Sequence, residues 1–337
     1  MFKNSLNRWY GTFKTKKIGF KDYSFLVLIL IPIVNVFLNL GFISVLISVL
    51  YPIFYFIAIL IAIYSLWKKD YIYLFVLGAC LIYIMIQEIS IGKNDSNIDS
   101  TTMSILTYNV NAFKNSKDNS NTDLPSKIVQ FINDKSPDIC ILQESTYKVG
   151  LNIKAYGYQF LGFRDSLEKS LLTIFSKYPI IDNGFVDFPN TRNNAIYADI
   201  LVKEDTIRVY NTHLQSYRLK GNLSFKEIVY NLNTNYSKQI EQAHILKSHA
   251  NKGKKPTIIC GDFNATAFSY PYKIIKRNMN SSFSYRHIIT GKTYGLFNYP
   301  MRIDHFLYNN HINLVSQDNF QLKLSDHEPI FVNITIN

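Results

Sequence analysis

The sequence contains few cysteines. Only three occur among 337 residues, and no pair has the Cys-x-x-Cys spacing. Cys140 and Cys260 each lie inside an apolar run, "DICILQ" and "TIICG", where a free cysteine usually behaves as a small buried hydrophobic residue. A disulfide framework is therefore not indicated.

Two common catalytic motifs are also missing. The chain has no Gly-x-Ser-x-Gly motif and no phosphate-binding P-loop, so neither a nucleophilic serine nor a nucleotide-cradling loop is supported. His244 and His249 lie five residues apart in a helical region, whereas a zinc-binding pair on a helix is spaced by four. The sequence therefore gives no support for a serine hydrolase, a P-loop nucleotide-binding protein or a zinc site on this helix.

Charge is absent from a long stretch near the N-terminus. Positions 23–67 contain no charged residue, and about 20 apolar residues are enough to cross a bilayer. The segment "NLG" at 39–41 favours a helical hairpin turn, although "YP" at 51–52 is an alternative corner. We predict transmembrane helices near 24–42 and 45–67.

A second uncharged segment, "YIYLFVLGACLIYIMIQ" at 71–87, predicts a third transmembrane helix near 71–90. A secretory signal peptide would have a shorter apolar core of about 7–15 residues and a small-residue cleavage site, and neither is present. Buried helices of a globular protein would keep a polar face, which these segments lack. Residues 1–91 are therefore predicted to form a membrane anchor with three transmembrane helices.

The cations around these segments predict their orientation. Six lysine or arginine residues precede the first span, and Lys68 and Lys69 lie between the second and the third. The positive-inside rule places both basic segments in the cytoplasm. Three crossings of the membrane then place the chain after about residue 92 on the extracytoplasmic side. We expect an integral protein of a bacterial-type inner or plasma membrane, with a cytoplasmic N-terminus and an extracytoplasmic domain.

A polar linker, "GKNDSNIDSTT" at 92–102, separates the anchor from a globular domain at 103–337. Helical patterns occupy 124–135 and 225–252. Short apolar or alternating runs typical of strands occupy 103–110, 138–144, 171–176, 195–202, 207–214, 257–263, 303–308 and 328–334. Strands interleaved with helices indicate an α/β sandwich, with the strand pairing left open.

Polar side chains recur at the ends of these runs. They are Asn109, Glu144, His213, Asp262, Asn264, Asp304, Asp326 and His327. Taken singly, each has a plainer interpretation, such as a backbone-bonded turn for "GDFN" or a structural role for one histidine. Together they indicate one polar site at the rim of the core. Converging carboxylates repel one another, and a divalent cation relieves this repulsion. Oxygen ligands favour Mg²⁺ or Mn²⁺, with Ca²⁺ as an alternative.

Seven motifs in order, "TYNVN", "LQE", "SKYPI", "NTHLQS", "GDFN", "RIDHFL" and "SDHEPI", resemble the endonuclease/exonuclease/phosphatase superfamily. This superfamily includes pancreatic-type deoxyribonuclease, abasic-site endonucleases, neutral sphingomyelinases and inositol polyphosphate 5-phosphatases. The resemblance covers residues 103–335. It implies a four-layer α/β/β/α sandwich of two mixed sheets, here preceded by three transmembrane helices. It also implies hydrolysis of a phosphoester by water activated beside a divalent metal.

The resemblance further implies a metal-binding role for three positions. Glu144 matches the principal ligand of Mg²⁺ or Mn²⁺. Asn109 matches the residue that helps to place the metal and the phosphate, and Asp326 matches an acidic residue near the metal.

The resemblance implies catalytic roles for the other five. Asp262 matches the acid that orients and deprotonates the attacking water, and Asn264 beside it bonds the phosphate. His213 matches a histidine that hydrogen-bonds a phosphoryl oxygen. Asp304 matches the partner of the essential histidine, here His327.

The substrate class stays open at the level of the sequence. Without residues 1–91, the net charge of +12 falls to +7, and this moderate positive charge would attract a phospholipid head group, a small phosphodiester, or extracellular DNA or RNA. The expected topology makes chromosomal DNA inaccessible. A catalytically inactive, membrane-anchored binding protein is a further alternative, but Glu144, Asp262 and His327 are all present. A transporter would carry ionisable residues in the middle of its spans. No obligate protein partner is predicted.

Overall fold

The computed structural model describes residues 20–35, 37–67, 74, 77–78, 102–113, 123–145, 153, 155–163, 171–219, 221–283, 291–296 and 299–337. Its helices are α1 (Phe20–Asn35), α2 (Phe42–Trp67), α3 (Leu124–Lys135), α4 (Phe225–Ala250) and α5 (Tyr270–Lys276). Its strands are β1 (Met103–Asn109), β2 (Ile139–Gln143), β3 (Tyr158–Leu161), β4 (Thr173–Ser176), β5 (Ile180–Asp187), β6 (Asn194–Val202), β7 (Asp205–His213), β8 (Thr257–Asp262), β9 (Asn280–Ser281), β10 (Tyr294–Leu296), β11 (Tyr299–Met301), β12 (Asp304–Tyr308), β13 (Ile312–Asn319) and β14 (Ile330–Ile336).

The N-terminal helices form a hairpin. The chain turns at Gly41, whose φ of 59° lies in the left-handed region that glycine adopts without a steric cost. The predicted turn at 39–41 is therefore confirmed. The alternative corner at 51–52 is wrong, because Pro52 lies inside α2.

Within the described residues, one helix is long and apolar enough to cross a membrane, and this helix is α2. The first predicted span, 24–42, corresponds to α1, which has only 16 residues and ends at Asn35. This is shorter than the length of about 20 residues that a crossing needs. The third predicted span, 71–90, lies outside the described residues apart from positions 74, 77 and 78. The three-helix anchor is therefore not supported by the described part of the chain.

Two six-stranded mixed sheets form the centre of the globular domain. The first has the order β13-β14-β1-β2-β4-β3, and the second has the order β5-β6-β7-β8-β12-β9. Each sheet contains one parallel pair, β1 with β2 and β7 with β8. The other neighbours in these two sheets pair antiparallel. β10 and β11 form a separate two-stranded ribbon.

The strands alternate their side chains between two apolar layers, as the two-residue period of a strand requires. In β1, Ile105 faces the core between the two sheets, whereas Leu106 faces the layer under α3. In β8, Cys260 faces the core between the sheets, whereas Ile259 faces the layer under α4 and α5. The resulting order is helix, sheet, sheet, helix, so the predicted four-layer sandwich is confirmed.

Candidate active site

Strand pairing brings the polar strand ends to one edge of the sandwich. In the first sheet, Asn109 at the end of β1 is paired with Gln143 at the end of β2. In the second sheet, His213 at the end of β7 is paired with Asp262 at the end of β8. Parallel pairing places the carboxyl ends of both strands at one edge of each sheet, and the hydrogen bond from Asn109 Nδ2 to Asp262 Oδ2 joins these two edges. Asp304, the first residue of β12, lies opposite Asp262 in an antiparallel pair.

Gly261 allows β8 to approach β7 closely just before the turn that follows Asp262. Its φ is 122°, and an added Cβ would lie 2.2 Å from the backbone oxygen of Thr212 on β7. Only glycine permits this approach of the two strands. Asp262 Oδ1 then accepts a hydrogen bond of 2.8 Å from the backbone N–H of Asn264, which has a φ of 48°. The "GDFN" motif therefore makes its own backbone turn and also presents Asp262 at the rim.

Two carboxylates, one amide and one imidazole meet between the sheets. Asn109 Nδ2 donates hydrogen bonds to Glu144 Oε1 at 3.2 Å and to Asp262 Oδ2 at 3.0 Å. His213 Nε2 lies 3.6 Å from each of the same two carboxylate oxygens. The second carboxylate comes from the other sheet, so the site exists only when the two sheets pack together.

The chemistry of this donor set fits a divalent cation. Glu144, His213 and Asp262 each offer one ligand atom, and these atoms lie within 4.8 Å of one another. Two of the three donors are carboxylates, which hard cations prefer. Glu144 has 36% of its side chain exposed, whereas Asp262 has 1%. Glu144 is thus the more accessible of the two carboxylates, and its role as the principal ligand stays a prediction.

The other two predicted metal ligands are placed less directly. Asp326 lines the same cleft as Glu144. Asn109 presents its NH₂ group to the carboxylates, while its Oδ1 accepts a bond from the backbone N–H of Asn111. Metal binding by these two residues stays a prediction.

A buried ion pair adjoins this group. His327 Nδ1 lies 2.8 Å from Asp304 Oδ2, and His327 Nε2 lies 3.6 Å from Asp262 Oδ2. Burial alone would lower the pKa of His327. The carboxylates of Asp304, Asp262 and Asp326 outweigh it and raise that pKa to about 10. His327 is therefore a cation at neutral pH, with Asp304 fixing the orientation of its ring.

Asp262 titrates nearer to neutrality than an ordinary aspartate. Burial, followed by the charge of Asp304, raises its pKa to about 6, although His327 and His213 oppose the rise. A carboxylate with a pKa near the working pH is suited to accept a proton in the reaction. The predicted role of Asp262 as general base is compatible with this environment.

The site opens into a cleft of about 1080 Å³. Its wall includes six of the eight predicted residues: Glu144, His213, Asp262, Asn264, Asp326 and His327. The other two, Asn109 and Asp304, are buried behind the wall and hydrogen-bond to residues that line it. The structure thus brings all eight positions together, from six strands and their adjoining loops.

Sequence reasoning missed the residues that hold His327 in place. The Tyr294 ring packs against the imidazole at a tilt of 45°, with 4.8 Å between centroids. Thr293 Oγ1 accepts a hydrogen bond from the backbone N–H of Asp304, and Ser325 Oγ accepts one from the backbone N–H of His327. Only Ser325 lay inside a motif that the sequence singled out, "SDHEPI".

A buried amide network beneath the site was also missed. Gln143 Nε2 donates to Asn211 Oδ1 at 2.7 Å, and Asn211 Nδ2 donates to the backbone oxygens of Leu142 and Thr173. These bonds join β7 of one sheet to β2 and β4 of the other. They fix the relative position of the sheets whose ends carry Glu144 and His213.

Comparison with known families identifies the domain. Residues 106–327, about two thirds of the chain, match the model of the Endonuclease/Exonuclease/phosphatase family. The chain belongs to this family. Membership, together with the retained acidic and imidazole groups, makes the protein a hydrolase that acts on phosphoester bonds.

Solved structures share the fold. An endonuclease/exonuclease/phosphatase from Beutenbergia cavernae is 15% identical with a TM-score of 0.57, over 70% of this chain and 72% of the other. An endonuclease/exonuclease/phosphatase from Bacteroides vulgatus is 18% identical with a TM-score of 0.55, over 70% of this chain and 100% of the other. A humanized D. rerio TDP2 is 15% identical with a TM-score of 0.57, over 69% and 99%. No match was found among curated proteins.

Proposed function

We propose that this protein is a membrane-tethered, divalent-metal-dependent phosphodiesterase whose active site lies outside the cytoplasm. One observation carries the proposal. The Glu144, His213 and Asp262 donor set adjoins the Asp304–His327 pair at the base of one cleft. A metal-assisted hydrolase needs this combination of an ion site, a base and a fixed cation beside the scissile bond.

Glu144 would hold Mg²⁺ or Mn²⁺ in this cleft, with Asp326 on the same wall and Asn109 Nδ2 orienting the carboxylates of Glu144 and Asp262. When bound, such an ion neutralises phosphate charge and lowers the pKa of nearby water. Asp262 takes the proton from the attacking water. Its Oδ1 is held by the backbone N–H of Asn264 and its Oδ2 by Asn109 Nδ2, so the carboxylate is oriented before substrate arrives.

Negative charge builds on the phosphoryl oxygens as the bond to phosphorus breaks. The cationic His327 faces this charge from the wall of the cleft, and Asp304 prevents the ring from turning away. His213 lies on the same wall and would hydrogen-bond the phosphoryl group, while Asn264 Nδ2 donates to the backbone oxygen of Leu214 and to Asp262 Oδ2 and so orients the base. Fixed donors aimed at developing charge are the largest contribution in many hydrolases.

Contacts between the hairpin and the domain support the extracytoplasmic placement. The backbone N–H of Phe42 donates to Asn233 Oδ1 at 2.7 Å, and Asn35 Nδ2 donates to the backbone oxygen of Phe268 at 3.2 Å. The hairpin tip therefore lies on the same side of the membrane as the domain. Lys68 and Lys69 follow the far end of α2, and the positive-inside rule assigns that end to the cytoplasm. The opposite face, with the domain, is then outside.

An extracytoplasmic nuclease acting on DNA or RNA is the second candidate. A D. rerio TDP2 structure of the same fold was solved with a single strand DNA product. Arg192 and Arg218 line the cleft of the present protein and are suited to contact a phosphate backbone. A catalytically inactive binding protein is the weakest candidate, because the ion site, the base and the buried ion pair are all retained.

The activity is tested with the full-length protein in detergent. It is assayed with Mg²⁺ or Mn²⁺ against bis(p-nitrophenyl) phosphate, beside Asp262→Ala and His327→Ala. We expect metal-dependent release of nitrophenol that falls by at least about 10³-fold in Asp262→Ala. Asp205→Ala, an exposed site at the start of β7, is the matched control and should keep full activity. Equal rates in the wild type and Asp262→Ala would refute the assignment.

The topology is tested separately by fusing a reporter after residue 92 in a bacterial host. An alkaline phosphatase fusion, which is active only outside the cytoplasm, should be active, and a fluorescent protein fusion exported by the same route should be dark. The reverse pattern would place the domain in the cytoplasm and make intracellular nucleic acid accessible to it.

A further inference from the structure

The hairpin contacts the same segments that carry and border the active site. Thr266 Oγ1 donates a hydrogen bond of 2.9 Å to the backbone oxygen of Ser48, and the rings of Phe268 and Tyr51 stack with 3.7 Å between centroids. Thr266 and Phe268 follow Asp262 and Asn264 by only a few residues. The loop that presents the general base is thus packed on a helix of the membrane anchor.

Both sides of the cleft mouth are packed on α2 as well. Tyr217 and Leu219 line the cleft and belong to an apolar cluster with Val45 of the hairpin. On the other side, the β10–β11 ribbon contributes Tyr294 and Met301 to the cleft, and the hydroxyl of Tyr299 in this ribbon donates to the backbone oxygen of Val49 at 2.9 Å. The cleft therefore opens beside the first two turns of α2.

The length of α2 sets the depth of these contacts in the bilayer. Trp67, the last residue of α2, precedes Lys68 and Lys69 and marks the cytoplasmic edge. A crossing takes about 20 residues, so the outer edge of the hydrocarbon layer lies near Ile47. Ser48 and Val49, which contact the domain, are at this edge, and Tyr51, which contacts Phe268, lies about one helical turn below it. The segments that border the cleft are thus held at the level of the lipid head groups.

The surface next to the hairpin is positively charged, which suits a position at the level of the lipid head groups. Residues 264–283, which include α5, contain Lys273, Lys276 and Arg277 but no acidic residue. Lys273 Nζ lies 5.1 Å from the ring centroid of Phe37, so α5 lies against the hairpin tip. Cations at the head-group level attract anionic lipids.

We infer that the substrate is a phosphoester carried by a lipid of the bilayer in which α2 is inserted, with α2 holding the cleft at the head groups. The inference rests on the proposed hydrolytic function and names its substrate class. The reaction is the same hydrolysis. Water adds to phosphorus, the P–O bond to the head group or to the glycerol breaks, and the leaving oxygen takes up a proton. A free nucleic acid has no reason to be presented at this depth.

The test uses full-length protein reconstituted into vesicles of phosphatidylglycerol and phosphatidylethanolamine with Mg²⁺ or Mn²⁺. Lipid loss and water-soluble products are measured by mass spectrometry. Bis(p-nitrophenyl) phosphate and a single-stranded oligonucleotide are assayed in the same preparation, and Asp262→Ala is the blank. We expect lipid hydrolysis at least tenfold above the blank and no cleavage of the oligonucleotide.

Failure of the lipid-substrate inference can be distinguished from failure of the proposed hydrolase. Hydrolysis of the soluble diester or the oligonucleotide with intact lipids would overturn the inference and leave the proposed hydrolase standing. No hydrolysis of any substrate above the blank would instead refute the hydrolase.

Docking is tested with Val45→Asp, which puts a carboxylate among the side chains of Leu232 and Tyr236. Val315→Asp, at a position 42% exposed on the domain, is the matched control. The ratio of lipid to soluble-diester hydrolysis should fall at least fivefold in Val45→Asp and stay unchanged in Val315→Asp. Should Val45→Asp not fold, Tyr299→Phe removes only the hydroxyl bonded to α2, and the ratio should fall at least twofold. An unchanged ratio in a folded docking variant contradicts the inference.

Discussion

Asp304 and His327 are 23 positions apart in the sequence, yet Asp304 Oδ2 lies 2.8 Å from His327 Nδ1 in a buried pocket. The pair sets the charge of the imidazole. Without its carboxylate neighbours, burial would keep His327 neutral at physiological pH, and with them its pKa rises to about 10. The cation is thus present at neutral pH and is lost only as the pH rises through this value.

The substitution Asp304→Asn removes the carboxylate that faces His327 Nδ1. Burial then lowers the pKa of His327 with less opposition, so the cation is lost at lower pH. We expect kcat for bis(p-nitrophenyl) phosphate to fall about 10²-fold, and the alkaline limb of the pH profile to move toward neutrality. Asp205→Asn, at an exposed position, should change neither. An alkaline limb at the wild-type pH would show that Asp304 does not set the charge of His327.

The substitution Glu144→Gln tests the ion site by a measurement other than activity. The amide keeps the shape of the side chain but removes one of the negative charges that attract the ion. We expect the dissociation constant for Mn²⁺, measured by electron paramagnetic resonance, to rise by at least about tenfold. Glu204→Gln, an exposed position in the turn between β6 and β7, serves as the matched control. Equal Mn²⁺ affinity in the two variants would remove Glu144 from the ligand set.

The substitution Gly261→Ala tests the close approach of β7 and β8. The new Cβ would lie 2.2 Å from the backbone oxygen of Thr212 at a φ of 122°, so the strands must separate. We expect a loss of about 2–4 kcal/mol in the free energy of unfolding, measured by thermal denaturation in detergent. Gly253→Ala has no atom within 4 Å of the added Cβ and should keep the wild-type stability. Equal stability of the two variants would show that the strands tolerate the added methyl group.

The strands that the sequence predicted share one property. All eight lie in the interior of the two large sheets. The strands of these sheets that it missed, β3, β5, β9 and β13, are the sheet edges, and both strands of the separate ribbon, β10 and β11, were missed as well. An edge strand is covered on fewer sides, so its side chains need not be apolar. β5, for example, contains Asp182, Asn183 and Gly184, which are typical turn residues, and most of its positions are partly or fully exposed.

The site was predicted better than its surroundings for a related reason. The eight site residues stand at the ends of interior strands, where a polar residue interrupts an apolar run and is visible in the sequence. Tyr294 lies in none of the predicted strands or motifs. Gln143 and Asn211 lie inside the motifs "LQE" and "NTHLQS", but the contact between them comes from packing of two distant segments. The contacts of the hairpin with Thr266 and Tyr299 are likewise set only by the tertiary structure.

Lys247 provides a test of electrostatics away from the cleft. It lies in the last turn of α4 with 8% of its surface exposed, and burial, followed by the charge of Arg277, lowers its pKa to about 8. Below pH 8 the ammonium is charged in both the folded and the unfolded chain, so the full cost of burying it is present. Between pH 8 and the ordinary value of 10.5, only the unfolded chain keeps the proton, and stability therefore rises with pH.

The substitution Lys247→Met should remove both the cost of burying the ammonium group and the rise of stability with pH. Methionine has a similar length and no charge, so the variant should be more stable than the wild type at pH 7 by about 1–3 kcal/mol. Its stability should no longer rise between pH 8 and 10 on account of this position. Thermal denaturation at pH 7 and at pH 9.5 measures both quantities, and Lys252→Met, an exposed lysine after α4, is the matched control. A destabilised Lys247→Met variant would mean that the ammonium has a compensating partner, because an uncompensated buried charge can only lower the stability of the fold.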